Sequence, residues 1–330
     1  MSPFVPSPSP RAARVALTLL PALLLSLGCT TSEATARPEA ADASKPSAPA
    51  PGGGAGAGPR GLSEEAFAAR LPGVSPAGLD ATQRAAFVEV AEDTLCDCGA
   101  PTTLAGCLTQ KRDCALGQRM GELARRFVKM GASPLETTDV LEDYFAAFPK
   151  SRRKTFDLST AACQGPEGAP ITLVEFADFE CPMCGYAWPV LHDLLKAHAE
   201  KVRLCFLHFP LSQHPNARHA ARLAQLAHQR GQFDLLATVF FGNQSALDKA
   251  SLVRYAAQAG ISADEANALL GSDQLDEIIE QHRAQGLAAG IQGTPSIFIN
   301  GRRFNLPVDR VTLELAVEDE LRWTSNGGKW

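Results

Sequence analysis

The sequence predicts a mixed α/β domain in its carboxy-terminal half, with a separate, smaller all-α module ahead of it. Three observations predict this. From about residue 155, short apolar runs alternate with longer helix-forming ones in the order strand, helix, strand, long helical region, strand, strand, helix. Asn300-Gly301 joins two of the short runs, and Asn-Gly is the preferred two-residue hairpin turn. Residues 61–150 carry helical periodicity.

The chain has 330 residues and a formal charge of −5. That balance, without Lys/Arg clusters, argues against nucleic acid as a partner. Arg11 and Arg14 precede an apolar run, Val15 to Leu27, too short to span a bilayer comfortably. Gly28-Cys29 follows, which reads as a lipoprotein-type signal over residues 1–28 with Cys29 the lipidated residue. Ser26 stands where an aliphatic residue is usual, so plain secretion with nearby cleavage is the alternative. Either route puts the mature chain in an oxidising, extracytoplasmic compartment, here periplasmic and anchored to an envelope membrane through lipid. Residues 29–60 are Ala, Pro, Gly, Ser and Thr with scattered charge. They cannot bury a core and read as a disordered linker.

The module spans residues 61–150. Leu123 to Met130 reads as a helix that stops at Gly131, and Ser133-Pro134 opens another with Val140, Leu141, Tyr144, Phe145 and Phe148 on one face. Cys96, Cys98, Cys107 and Cys114 precede this hairpin. Of nine cysteines, eight remain if Cys29 carries lipid, and an even number in an exported chain suits disulfides. In one unbroken helix over 104–116, Cys107 and Cys114 would stand about 10 Å apart along the axis. Each would then have to join Cys96 or Cys98, because a disulfide needs Cα atoms within ~7 Å. A break near Asp113 would allow a Cys107–Cys114 bond. Structural disulfides, a metal site and a second redox pair all stay open.

The domain spans residues 151–330. Its first strand is Ile171–Phe176, and a helix follows over 185–200. Between them stand Cys181-Pro182-Met183-Cys184. A strand feeding a helix through this pair puts the first sulfur at a helix N-terminus, where unsatisfied N–H groups and the macrodipole favour a thiolate. The thiolate is the reactive form of cysteine, so thiol–disulfide exchange is the first expectation. No second Cys-x-x-Cys or His pair follows in the segment, so no metal ligands are assigned here. Glu175 lies inside the apolar strand. Burying a lone carboxylate is costly, so its pKa should rise, unless it meets solvent at a strand edge.

Residues 201–210 form the second strand, closed by Pro210. Helices are expected over 217–229, 233–241, 251–258 and 263–270, the last with Ser262 at its start. Strands resume over 295–299 and 302–304. His208 belongs to a strand and His214 to a helix start, and neither is assigned chemistry. Phe179, Trp188 and Phe298 read as core or rim aromatics. Cys205 looks buried and inert, with a bond to Cys163 as the alternative.

Three stretches carry a family resemblance: Val174–Cys184, His208–Leu211 with His214-Pro215, and Gly290–Gly301. Together they resemble the DsbA-like thiol:disulfide oxidoreductases over residues ~155–305. That resemblance implies a thioredoxin fold with an inserted helical domain at about 212–287. Cys181 would be the attacking, exposed thiolate and Cys184 the resolving thiol. Thr294-Pro295 would be the cis-proline loop against the dithiol, with Pro295 in the catalytic set. Thr294, Pro182 and Met183 would meet the client peptide. Glu175 would be the buried acid that shuttles a proton to or from Cys184. Clients would be exported proteins with cysteines, with no cofactor, and a membrane redox partner would recycle an oxidase. Pro-Met offers no cation to hold the thiolate, so an oxidase of moderate strength is favoured over a very strong one; an isomerase or reductase with the same site is the alternative. A non-enzymatic metal-binding role is the other alternative. The amino-terminal module loosely resembles the helical thiol domain of cytochrome c maturation reductases. It has Cys-x-Cys where they have Cys-x-x-Cys, so no activity is carried over.

Overall fold

The computed structural model describes residues 61–330, which belong to one compact unit. The signal, Cys29 and the linker lie outside the described residues.

The first segment holds α1 (Glu64–Arg70), α2 (Ala81–Asp93), β1 (Leu95–Asp97), β2 (Pro101–Thr103), α3 (Leu104–Gln110), α4 (Ala115–Lys129) and α5 (Pro134–Ala146). Local signals set these limits. Asp80 with Gln83 and Ser133 with Glu136 make capping boxes for α2 and α5, and Pro134 opens α5. Gly131, at φ 89°, ends the α4 stretch. The antiparallel β1–β2 ribbon is an addition to the helical reading. It pairs Cys96 with Thr102 and lies beside the cysteines.

The second segment holds β3 (Ala162–Gln164), β4 (Ile171–Ala177), α6 (Pro182–Ala197) and β5 (Val202–His208). Then come α7 (Ala217–Gln229), α8 (Phe233–Gly242), α9 (Lys249–Ala256), α10 (Ala263–Leu270) and α11 (Asp276–Ala288). β6 (Ser296–Ile299), β7 (Arg302–Phe304) and α12 (Arg310–Ser325) close it. The sheet order is β3-β5-β4-β6-β7, with β4 and β5 parallel and every other neighbour antiparallel. This is a thioredoxin-fold sheet with a helical insert, α7 to α11, between β5 and β6. β4 and β5 are central and buried along almost their whole length, so they read as apolar runs without alternation. Asn300 at φ 48° and Gly301 at φ 77° make the β6–β7 turn. A Cβ at Gly301 would also lie 2.0 Å from the Lys154 carbonyl oxygen, so glycine is required twice over.

β3, like the two strands of the β1–β2 ribbon, is a strand that sequence reasoning missed. It is a three-residue edge strand that places Cys163 opposite Cys205, and the two are bonded with Cα atoms 4.0 Å apart. Cys205 is therefore buried as one half of a disulfide, not as an isolated thiol. One core cluster runs through both segments, from Phe67, Phe87, Leu123 and Phe148 to Leu173, Leu191, Ile299 and Leu313. A second packs the insert against Phe179, Cys184, Trp188 and Phe206.

Candidate active site

β4 delivers the chain to the site at its carboxy-terminal end. Asp178 turns it: one carboxylate oxygen accepts from Glu180 N at 2.8 Å. The other accepts from Leu211 N and His214 Nδ1, both at 2.8 Å. Glu180 in turn accepts from Asn216 N at 2.7 Å and Asn216 Nδ2 at 3.1 Å. These two acids tie the turn before the dithiol to the loop that starts the insert.

Cys181 is the N-cap of α6, and Pro182 is its first helical residue, where a missing N–H costs nothing. The Cys181 carbonyl accepts from Cys184 N at 3.0 Å and Gly185 N at 3.2 Å. Gln244, reaching in from the insert, donates through Nε2 to the carbonyls of Phe179 (2.9 Å) and Cys181 (2.7 Å). Across the site the Thr294–Pro295 bond is cis, and the Cys181 thiol donates to the Thr294 carbonyl at 3.2 Å.

Cys181 is less open than the expected exposed thiolate. It keeps 7% of its surface, because the Thr294 loop lies over it, while Cys184 is fully buried. Pro182 is exposed, and Met183 and Tyr186 are exposed to 56% and 53%, so the open rim is apolar. The two thiols titrate in opposite directions. A hydrogen bond from Cys184 leads the effects that bring Cys181 down to about 5, aided by Thr294 and the backbone N–H groups of Met183 and Cys184. Burial pushes Cys184 far up, and the neighbouring Cys181 and Glu175 add to this. Burial likewise raises the Glu175 carboxyl to about 8. Glu175 sits on the central strand, not at an edge, paired with Phe206 on one side and Ile297 on the other. Among the described residues its two carboxylate oxygens have no hydrogen-bond partner.

Residues 158–319 match the family model described as Thioredoxin. This segment is a thioredoxin-family domain. Parts of the chain also match curated proteins. A Na(+)/H(+) antiporter NhaA 3 of Salinispora tropica is 36% identical over 155 residues, 47% of this chain and 24% of that protein. The Na(+)/H(+) antiporter NhaA of Herminiimonas arsenicoxydans is 34% identical over 161 residues, 49% of this chain and 26% of that protein. The chain therefore spans about a quarter of the length of these relatives. Among solved structures, oxidised BdbD from Bacillus subtilis is 19% identical with a TM-score of 0.48, over 52% of this chain and 97% of its own. A thioredoxin-like oxidoreductase from Silicibacter pomeroyi is 23% identical with a TM-score of 0.46, over 55% and 97%.

The structure brings together Glu175, Cys181, Cys184, Thr294 and Pro295 at one end of the thioredoxin domain's sheet. His208 stays away from the dithiol chemistry, buried in β5 with Nε2 3.1 Å from Gln225 Oε1. His214 is held by Asp178. Phe179, Trp188 and Phe298 are buried. Sequence reasoning missed Asp178, Glu180 and Gln244. An Asp directly after a strand is a turn signal that pointed to the first. Nothing in the sequence marked Gln244, because it acts on main-chain carbonyls that any sequence has.

Proposed function

We propose that this chain exchanges disulfides with cysteine-bearing exported proteins through Cys181 and Cys184, working as an oxidase. The observation that carries this reading is the placement of Cys181 at a helix N-terminus under the cis-proline loop, where it keeps 7% of its surface, with Cys184 fully buried behind it beside a buried acid. In the oxidised protein the two sulfurs are bonded. A client thiolate attacks the Cys181 sulfur and the Cys181–Cys184 bond breaks. The electron pair goes to the Cys184 sulfur, which takes a proton at once because its thiol is so weakly acidic. Glu175, protonated at neutral pH, supplies that proton and regains it from water. A second client thiolate then attacks the client sulfur of the mixed disulfide and expels Cys181. A sulfur with a pKa near 5 is a good leaving group, which favours release of an oxidised client. The client leaves with a disulfide, and two electrons stay on the dithiol until an envelope redox partner removes them. Thr294, Pro182 and Met183 are the surface for the extended client. Lipid attachment at Cys29 would hold the domain at the membrane. Ion transport, named for the antiporter relatives, is not carried over from a quarter of their length.

Equilibration of Cys181–Cys184 against glutathione tests the direction. The expected potential lies between thioredoxin's, about −270 mV, and that of the strongest oxidase, about −120 mV. A value at or below about −270 mV would instead mean a reductase.

A further inference from the structure

Away from the dithiol, four other sulfurs form one cluster. Cys96 is bonded to Cys107 and Cys98 to Cys114. Two disulfides need not approach one another, but these do. Cys98 Sγ lies 2.9 Å from Cys107 Sγ and 3.5 Å from Cys96 Sγ, neither of them its bonded partner. All four Sγ atoms fall within 4.8 Å of one another. A zinc–thiolate bond is about 2.3 Å, so the edges of a tetrathiolate tetrahedron are about 3.8 Å. The four sulfurs already occupy a volume of that size.

Their support is that of a ligand set. Cys96 lies in β1 and Cys98 follows directly after that strand, two positions on. The ribbon turns through Gly99 at φ 85°, whose N–H is bonded to Asp97 Oδ1. Cys107 comes from α3, and Cys114 is the N-cap of the 15-residue α4. The Gly117 N–H donates to Cys114 Sγ at 3.4 Å, and the helix start faces the cluster with its positive end. Lys111 Nζ, bonded to the Cys98 carbonyl at 3.0 Å, adds a cation. A Cβ at Gly117 would lie 2.7 Å from Cys107 Cβ and 3.6 Å from the sulfurs of Cys96 and Cys107. Glycine there lets the helix start close over the sulfurs. Cys96 and Cys107 are buried while Cys98 and Cys114 are half-buried, so the cluster has a closed back and an open front.

From this we infer that Cys96, Cys98, Cys107 and Cys114 are a redox-gated zinc site: two disulfides when oxidised, a Zn²⁺ tetrathiolate when reduced. A dithiol reductant opens each disulfide. It gives up two electrons and two protons per bond and becomes a disulfide itself. The four resulting thiols lose four protons on binding one Zn²⁺, which leaves a complex of net charge −2. Lys111 and the α4 N-terminus offset that charge. The reaction reverses when an oxidant of the disulfide class removes four electrons and the ion departs. This state does not depend on the proposed exchange at Cys181.

The test uses the full chain carrying Cys29→Ala, Cys181→Ala and Cys184→Ala; Cys163 and Cys205 stay in every chain, and the four-serine control reports any ion they bind. The protein is reduced anaerobically with a phosphine, which supplies no thiol, and titrated with Co²⁺. The expected result is one ion per chain with the absorption of tetrahedral Co²⁺–thiolate, bleached by Zn²⁺. In the same chain with serine at positions 96, 98, 107 and 114 the signal should vanish. Single Cys98→Ser and Cys114→Ser changes, at the half-buried rim, should weaken Co²⁺ binding at least tenfold while far-ultraviolet dichroism stays unchanged. A reduced chain that stays folded and binds no Co²⁺ would overturn the inference. So would the same spectrum from the four-serine chain, or loss of helix on reduction that Zn²⁺ does not restore.

Discussion

Cys181 and Cys184 are one helical turn apart, and that turn separates a sulfur that ionises from one that does not. Cys181 faces the first N–H groups of α6 and the Thr294 loop, while Cys184 is fully buried beside Cys181 and the Glu175 carboxyl. Alkylation with iodoacetamide should therefore label Cys181 alone near neutral pH, with a rate–pH midpoint near 5. A midpoint near 9, or equal labelling of both thiols, would contradict this account. Glu175 supplies a second pH dependence of known sign. The unfolded chain releases this proton near 4.5 and the reduced native state near 8. Between those values only the native state holds it, so Glu175 makes stability fall as pH rises through that window, at about 1.4 kcal/mol per pH unit. Cys181 acts oppositely. Its folded pKa is depressed, so its contribution is full above pH 9 and is lost as pH falls toward 5. Subtracting the urea-unfolding profile of Glu175→Gln from that of the parent isolates the carboxylate. The variant should be the more stable protein at pH 9 by a few kcal/mol and nearly equal to the parent at pH 5. Parallel profiles would remove Glu175 from the buried acid role.

At the scale of elements, the insert governs the site by how closely its helices approach the sheet. Gly286 of α11 is the tightest point: a Cβ there would lie 2.7 Å from two ring carbons of Phe209 and 3.1 Å from Phe176. Both rings are buried, so neither can swing away. Gly286→Ala should cost about 1–3 kcal/mol, read as a lowered urea midpoint at unchanged slope, despite alanine's better helix propensity. An unchanged or raised midpoint would show that α11 has slack. The elements legible in the sequence were those whose signal is local. β4 and β5 were visible as buried apolar runs, α10 from Ser262 and its acidic first turn, and the β6–β7 turn from Asn300-Gly301. β3 was not, because three residues carry no period and its place depends on a bond to Cys205, 42 residues away. The dithiol was legible because its chemistry needs two sulfurs at fixed spacing. Its anchors, Asp178, Glu180 and Gln244, were not fully so, because they bind partners about 30 to 65 residues distant.

For the whole molecule, the sequence reading put a boundary between residues 150 and 151. Around that point the structure has a shared core and a buried network of charge. Asp319 of α12 accepts from Arg119 Nε of α4 at 2.7 Å and from the Tyr144 hydroxyl of α5 at 2.9 Å. Beside it Glu320 meets Arg153 Nη1 at 2.5 Å and Arg302 Nε at 3.2 Å. Arg302 is fully buried, with its guanidinium 3.9 Å from the Phe148 ring centroid and 4.7 Å from that of Tyr144. Such pairs add little net stability over apolar packing, but removing one partner strands the other without water. Asp319→Ala leaves the buried Tyr144 hydroxyl without its acceptor, while Arg119 keeps Glu122 at 2.6 Å and Glu318 at 3.0 Å, so the change should cost about 1–3 kcal/mol. The coupling has a sharper consequence than the loss itself. If α4 and α5 depend on α12, helix dichroism and tryptophan fluorescence should report one transition in the parent, since Trp323 and Trp330 pack on Phe148. In Asp319→Ala both signals should shift together to lower urea. Two transitions in the parent, with only the earlier one moved by the substitution, would mean that residues 61–150 fold as an independent body that merely rests against the thioredoxin domain.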